Sequence, residues 1–71
     1  MRSAHRIIKK LRFHEYILFL IKLHNGNYLL VITQKGEIIE KENLGYDEIE
    51  AQKDFRMAMI DFLRRHRKHP P

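Results

Sequence analysis

The stretch HEYILFLIKLHNGNYLLVITQKGEII, residues 14–39, decides the fold, because two turn signals divide it into three apolar segments. Asn25-Gly26 is the strongest short-range hairpin signal, since both residues tolerate the positive φ of a type I′ turn. Lys35-Gly36 is a second, weaker turn signal. The stretch therefore predicts a three-stranded antiparallel meander whose third strand, 37–42, lies at an edge.

A two-residue loop at Asn25-Gly26 determines which side chains share a face of the predicted sheet. Such a loop pairs Leu23 with Tyr28 and Phe19 with Ile32. Side chains alternate along a strand, so we expect a helix-covered core face made of Ile17, Phe19, Ile21, Leu23, Tyr28, Leu30 and Ile32. The second turn is expected to pair Gln34 with Glu37, Thr33 with Ile38, and Ile32 with Ile39.

Helical patterns flank the meander on both sides. Residues 3–12 repeat apolar side chains at helical spacing (Ala4, Ile7, Ile8 and Leu11), with Ser3 as a candidate N-cap. After the meander, Asp47 and Glu50 have the N-cap and N3 spacing of a helix that is expected to run to about residue 66. The apolar stripe of this second helix is Ala51, Phe55, Ala58, Met59, Phe62 and Leu63.

The predicted fold is therefore α+β in the order α-β-β-β-α. A long C-terminal helix packs on one face of the meander, and a short basic helix precedes the strands. The 71 residues form a single small domain, whose basic tail from about residue 64 to residue 71 can be disordered at its end. A chain of this size hides only about 60% of its exposable surface on folding, and without cysteine the remaining usual source of extra stability is oligomerisation.

Composition narrows the class of protein. Cysteine is absent, which excludes disulfides and thiolate metal sites and fits a reducing compartment. The longest apolar run, residues 16–21, is far shorter than the roughly 20 residues that cross a bilayer as a helix. No signal-peptide pattern precedes that run, so we expect a cytoplasmic protein.

The reverse face of the predicted sheet is apolar as well, and it raises the question of what covers it. Its candidate interface residues are Leu18, Leu20, Leu29, Val31 and Ile38. A monomer rarely exposes a contiguous apolar patch of more than a few hundred Å². Three coverings stay open: the N-terminal helix, a second copy of the chain, or a different partner.

No motif points to an enzyme. His66 and His69 have i,i+3 spacing, but no carboxylate or cysteine accompanies them as a metal ligand. Glu40 and Glu42 share one side of an edge strand, where nothing desolvates them. Three glycines do not build a phosphate-cradling loop. We therefore expect a non-enzymatic protein without a cofactor, a metal site or a small-molecule substrate.

Basic residues gather at the two ends of a chain whose net charge is +5. Lysine and arginine in such number give salt-sensitive attraction to phosphate. This favours a nucleic-acid-binding or nucleic-acid-associated accessory protein, whose candidate phosphate contacts are Arg6, Lys9, Lys10, Arg12, Arg64, Arg65, Arg67 and Lys68. The alternative is a protein-interaction module or regulator that uses the apolar second face, either as a homodimer or with another protein.

Two resemblances accompany these hypotheses. The order α-β-β-β-α is similar to that of the double-stranded-RNA-binding domain, which implies RNA binding. That family has a lysine-rich start to its second helix, whereas the helix here begins Asp47, Glu48, Ile49, Glu50. The segment GYDEIEA, residues 45–51, resembles the acidic helix start that follows the strands of small antitoxins, and this implies a sheet that binds another protein or a second copy of itself.

Overall fold

The computed structural model describes residues 5–66, which form four strands and one helix. The elements are β1 (His5–Phe13), β2 (Tyr16–Leu23), β3 (Tyr28–Gln34), β4 (Glu37–Gly45) and α1 (Glu48–His66). The strands form one antiparallel sheet in the order β1-β2-β3-β4. The helix α1 packs on one face of this sheet, against β2, β3 and β4.

The predicted N-terminal helix is wrong, because residues 5–13 form the edge strand β1. A β-bulge between Ile7 and Lys9 inserts one extra residue, Ile8, and interrupts the two-residue alternation of side chains. Apolar residues at positions 7, 8 and 11 therefore fit a bulged strand as well as a helix. A ten-residue helix is marginal by itself, whereas β1 satisfies its backbone groups by pairing with β2.

The architecture is thus ββββα, not α-β-β-β-α, and the sheet has four strands, not three. The topological similarity to the double-stranded-RNA-binding domain depended on the first helix and is lost with it. Residues 3 and 4 of the predicted helix lie outside the described residues, as do residues 67–71 of the predicted basic tail.

Asn27 lies between the loop and the first residue of β3 and pairs with Leu23 to close the hairpin, so three residues, 24–26, form the loop and the expected two-residue loop is wrong. The Leu23 N–H donates to the Asn27 carbonyl at 2.8 Å, and the Gly26 N–H donates to the Leu23 carbonyl at 2.9 Å. Only Gly26 in this loop has a positive φ, 91°, whereas a type I′ turn requires one at Asn25 too. A three-residue loop that ends on a left-handed glycine is the next commonest hairpin connection.

This one-residue difference turns β2 over relative to β3. Leu18 pairs with Ile32, and Leu20 pairs with Leu30, on the face that α1 covers. The β3 part of the predicted core face, Tyr28, Leu30 and Ile32, is confirmed by its burial. The β2 part is wrong, because the alternate residues Ile17, Phe19, Ile21 and Leu23 lie on the opposite face.

The second turn is confirmed. Lys35 and Gly36 have positive φ values of 52° and 87°, and Gln34 pairs with Glu37 and Thr33 with Ile38 as expected. Beyond that point a bulge inserts Ile39, so that Ile32 pairs with Glu40 instead of Ile39. The fourth strand continues to Gly45, three residues beyond its predicted end.

The long C-terminal helix is confirmed, and α1 ends at His66. Asp47 caps its start, since its Oδ1 accepts a hydrogen bond from the Ile49 N–H at 3.0 Å. The predicted apolar stripe faces the sheet: Ala51, Phe55 and Phe62 are buried, and Ala58, Met59 and Leu63 pack around them. The helix was expected on the face that contains Phe19, and it lies instead on the face that contains Leu20.

Candidate interaction face

One face of the sheet has no covering element within residues 5–66, because α1 packs on the other face and the remaining elements belong to the sheet itself. We call this surface the open face. Cross-strand pairing arranges its side chains in three rows of four, one residue from each strand. The rows are Ile7-Ile21-Leu29-Asn43, Lys10-Phe19-Val31-Lys41 and Arg12-Ile17-Thr33-Ile38.

The centre of the open face is apolar and closely packed. Phe19 lies opposite Val31, and neighbouring β-branched and aromatic pairs of this kind stabilise a sheet. Val31 is only 6% exposed although α1 lies on the other face of the sheet, because the surrounding side chains shield it. Around it, the half-buried side chains of the two central strands are Ile17, Phe19, Ile21 and Leu29. The centre therefore presents a continuous apolar surface.

The margins of the open face are more exposed than its centre. Ile7 on β1 is 50% exposed, and Ile38 on β4 is 59% exposed. Large apolar side chains in such positions extend the apolar surface across all four strands. An apolar surface of this extent on a small protein is typical of a binding site.

The charge on the open face has a single sign. Its charged side chains are Lys10 and Arg12 on β1 and Lys41 on β4, and the three rows contain no carboxylate. The carboxylates of β4 lie on the helix-covered side, where Glu40 and Glu42 pair with the core residues of β3. The open face is therefore an apolar surface with a basic border.

The two edges of the sheet are less suited to binding than its open face. β1 carries a bulge at Ile8, and β4 carries bulges near both of its ends. Both edge strands are also rich in charged side chains. Bulges and charges are the features by which proteins prevent the pairing of exposed edge strands.

The structure divides the five predicted interface residues between the two faces. Leu29, Val31 and Ile38 lie on the open face. Leu18 and Leu20 are completely buried beneath α1. Sequence reasoning placed Ile17, Phe19 and Ile21 in the core because it assumed the wrong loop length, although the glycine at position 26 fits a three-residue loop equally well.

The structure also divides the predicted phosphate contacts of β1 between the faces. Arg6 and Lys9 pair with Lys22 and Leu20 on the helix-covered side, whereas Lys10 and Arg12 belong to the open face. A helix would have grouped these four cations on one arc. The strand instead alternates them, so they do not form one continuous phosphate-binding track.

The described basic residues at the end of α1 are Arg64 and Arg65, and both are exposed. Arg65 forms a salt bridge with Asp61 at 3.1 Å, which partly neutralises its charge. The remaining candidates, Arg67 and Lys68, lie outside the described residues.

An aromatic cluster that sequence reasoning missed joins the end of β1 to the end of α1. The ring centroids of Phe13 and Phe62 are 6.4 Å apart, and those of Tyr16 and His66 are 5.0 Å apart. Phe62 also contacts Tyr16 edge-on at 5.0 Å. Arg12 directly precedes Phe13, and Arg64 and Arg65 lie between Phe62 and His66 in the sequence. The aromatic contacts therefore bring the basic end of β1 and the basic end of α1 to the same end of the molecule.

No set of three histidine, aspartate or glutamate side chains within residues 5–66 is placed to hold a metal ion. In the same range, no helix has both the length and the apolar character needed to cross a membrane. Comparison of the chain with protein-family models, with curated proteins and with solved structures found no match.

Proposed function

We propose that this protein is a protein-interaction module whose open face docks an apolar surface that carries carboxylates at its border. The observation that carries this proposal is the middle row of the open face, in which Lys10 and Lys41 flank Phe19 and Val31. An apolar partner surface would cover the two central side chains. Carboxylates on either side of it would meet the two lysines, and such complementarity guides both encounter and orientation.

The charge of the open face favours a different protein over a second copy of this chain. Face-to-face packing of two copies would bring two sets of Lys10, Arg12 and Lys41 around one shared interface, with no carboxylate from either open face to neutralise them. Like charges across an interface oppose association. With an acidic partner this repulsion is absent, and the carboxylates of the partner attract the three basic side chains instead.

The size of the open face favours a compact partner element. Three rows of side chains across four strands cover a projected area of roughly 300 Å², from strand spacings of about 4.8 Å and a rise of about 3.3 Å per residue. A standard stable interface buries about 800 Å² on each partner. A helix is about 10 Å wide, so a single amphipathic helix with acidic flanks matches this face better than a broad globular surface does.

Two synthetic peptides test the proposal. Both form a helix with the same leucine stripe, and one carries glutamates beside the stripe where its twin carries lysines. In ¹H–¹⁵N NMR titrations, we expect the glutamate peptide to shift the resonances of Phe19 and Val31, and we expect added salt to weaken this effect. The Phe19→Asp variant should lose binding, whereas Met57→Asp, at a 62%-exposed apolar residue of α1, should retain it.

Two results would overturn this proposal. Equal binding of both peptides would show that the basic border contributes nothing to recognition. A wild-type dimer in light scattering that becomes monomeric in the Phe19→Asp variant would identify a second copy as the occupant of the open face.

Nucleic-acid binding is a second candidate function, favoured by basic residues of two elements, β1 and α1, that lie at one end of the molecule. The contacts Phe13–Phe62 and Tyr16–His66 bring the end of β1, with Arg12, close to the end of α1, with Arg64. Fluorescence titrations with short duplexes and single strands at two salt concentrations test it. Binding that weakens with salt, and weakens further in Arg64→Gln, supports phosphate contact; no binding at low salt excludes it.

A further inference from the structure

A helix is narrower than a four-stranded sheet, so α1 leaves a cleft along each of its sides. The helix with its side chains is about 10–12 Å across, whereas four strands about 4.8 Å apart occupy roughly 19 Å. On one side, α1 and the inner surface of β1 enclose a cleft of about 350 Å³. Its lining residues are Lys9, Lys10, Leu11, Gln52, Phe55, Arg56 and Met59. We call it the β1 cleft.

The β1 cleft combines an apolar floor with a cationic rim. Leu11 and Met59 are half-buried beside the core, and Phe55 is only 4% exposed. The lining contains no carboxylate, and its rim cations are Lys9 and Arg56, because the side chain of the third basic residue in the lining, Lys10, belongs to the open face. Within residues 5–66 the one salt bridge joins Arg65 to Asp61, so no acidic group in this range neutralises the cations of the rim.

The cleft on the other side of α1 has the opposite charge. It lies between the helix and β4, and four carboxylates line it: Glu40, Glu42, Asp54 and Asp61. Arg65 is the basic residue in that lining, and Asp61 already neutralises it. Each cleft has an apolar floor beside α1. The basic rim of the β1 cleft favours an anionic ligand, whereas the acidic rim of the other cleft favours a cationic one.

The geometry points to the β1 cleft as a binding site for an organic anion with an apolar body, such as a medium-chain carboxylate. The chain of the ligand would lie on Leu11, Phe55 and Met59. Its carboxylate would pair with Lys9 and Arg56, which approach the cleft from opposite walls. A volume of about 350 Å³ lies at the small end of the range for ligand sites, about 300–1,000 Å³. This site is separate from the open face and does not depend on the function proposed for that face.

Octanoate and octylammonium test this site, because they have the same apolar chain and opposite charges. In ¹H–¹⁵N and methyl NMR titrations of the full chain, we expect octanoate to shift the resonances of Leu11, Phe55 and Met59. We expect octylammonium to leave these resonances unchanged at the same concentration. The Lys9→Gln and Arg56→Gln variants should each bind octanoate about twofold to fivefold more weakly, as for the loss of one exposed ion pair.

Lys53→Gln is the matched control, since it removes the same charge from an exposed position of α1 outside the cleft lining. Its affinity for octanoate should equal that of the wild type. Equal effects of octanoate and octylammonium would overturn the inference, as would equal affinities of all four proteins. Octanoate shifts that centre on Phe19 would also overturn it, because they would place the ligand on the open face.

Discussion

The side-chain amides of Asn27 and Asn43 exchange two hydrogen bonds, with Nδ2···Oδ1 distances of 2.9 and 2.8 Å. Asn27 Nδ2 also donates to the Gly45 carbonyl at 2.8 Å, and the Gly45 N–H donates back to Asn43 Oδ1 at 2.8 Å. Asn27 is only 6% exposed, so water replaces these bonds poorly. The pair ties the start of β3 to the end of β4, next to the first turn of α1.

Loss of this amide pair should destabilise the protein measurably. Asn27→Ala leaves the Gly45 carbonyl and the Asn43 amide without their partner, and an unsatisfied buried polar group costs about 1–3 kcal/mol. We expect the free energy of unfolding, measured by urea denaturation, to fall by this amount. The Asn27→Ala/Asn43→Ala double variant should lose less than the sum of the two single variants, because both remove the same bonds. Strict additivity would contradict the reciprocal pairing.

The loop at residues 24–26 should depend on the left-handed conformation of Gly26. A Cβ at this position would make only an ordinary contact with the Tyr46 ring, at 3.9 Å, so the cost of Gly26→Ala is conformational. We expect Gly26→Ala to lower the free energy of unfolding by about 1–2 kcal/mol. Gly26→Asn should cost less, since asparagine adopts this conformation more readily. Equal costs in urea denaturation would argue against a positive φ here.

Neighbouring residues of β2 should differ sharply in their contribution to stability. Leu20 is completely buried beneath α1, so Leu20→Ala should cost about 2–5 kcal/mol, as is usual for truncation in a core. Phe19 is half-buried on the open face, so Phe19→Ala should cost less than half of that although it removes the larger side chain. Thermal and urea unfolding of both variants measure the difference. A larger loss of stability for Phe19→Ala than for Leu20→Ala would indicate that α1 covers the face that contains Phe19.

The elements with strong local signals could be predicted from the sequence. The N-cap of α1 at Asp47 and the hairpin turn at Lys35-Gly36 depend on interactions between residues close in sequence. Both are present as expected. The stripe that contains Phe55 and Phe62 repeats at helical spacing because α1 packs with one side against a single face of the sheet. Elements with such local patterns can be predicted without knowing which strands pair with one another.

The first strand could not be predicted in the same way. The bulge at Ile8 breaks the two-residue alternation that identifies a strand, and the resulting spacing of Ile7 and Leu11 imitates a helix. Only the pairing of this segment with the edge of β2 decides whether it forms a strand or a helix. That pairing is a tertiary interaction, and it overrides the weak helical preference of a ten-residue segment.

The open face was misplaced for a related reason. Both faces of β2 are apolar, since Phe19 and Leu20 differ little in hydrophobicity, so the pattern itself does not show which face a helix covers. The prediction relied on the length of one loop, and an error of one residue in that loop exchanged the two faces of β2 relative to β3. The existence of a second apolar face was anticipated, whereas its residues on β2 were not.

The chemical accessibility of Phe19 and Leu20 tests the central claim most directly, namely that the side of β2 bearing Phe19 lies on a face that no element within residues 5–66 covers. The chain contains no cysteine, so Phe19→Cys and Leu20→Cys each introduce a single thiol. Under native conditions, we predict that a maleimide labels Phe19→Cys rapidly and Leu20→Cys only as fast as the protein unfolds. Rapid labelling of Leu20→Cys with protection of Phe19→Cys would contradict the account.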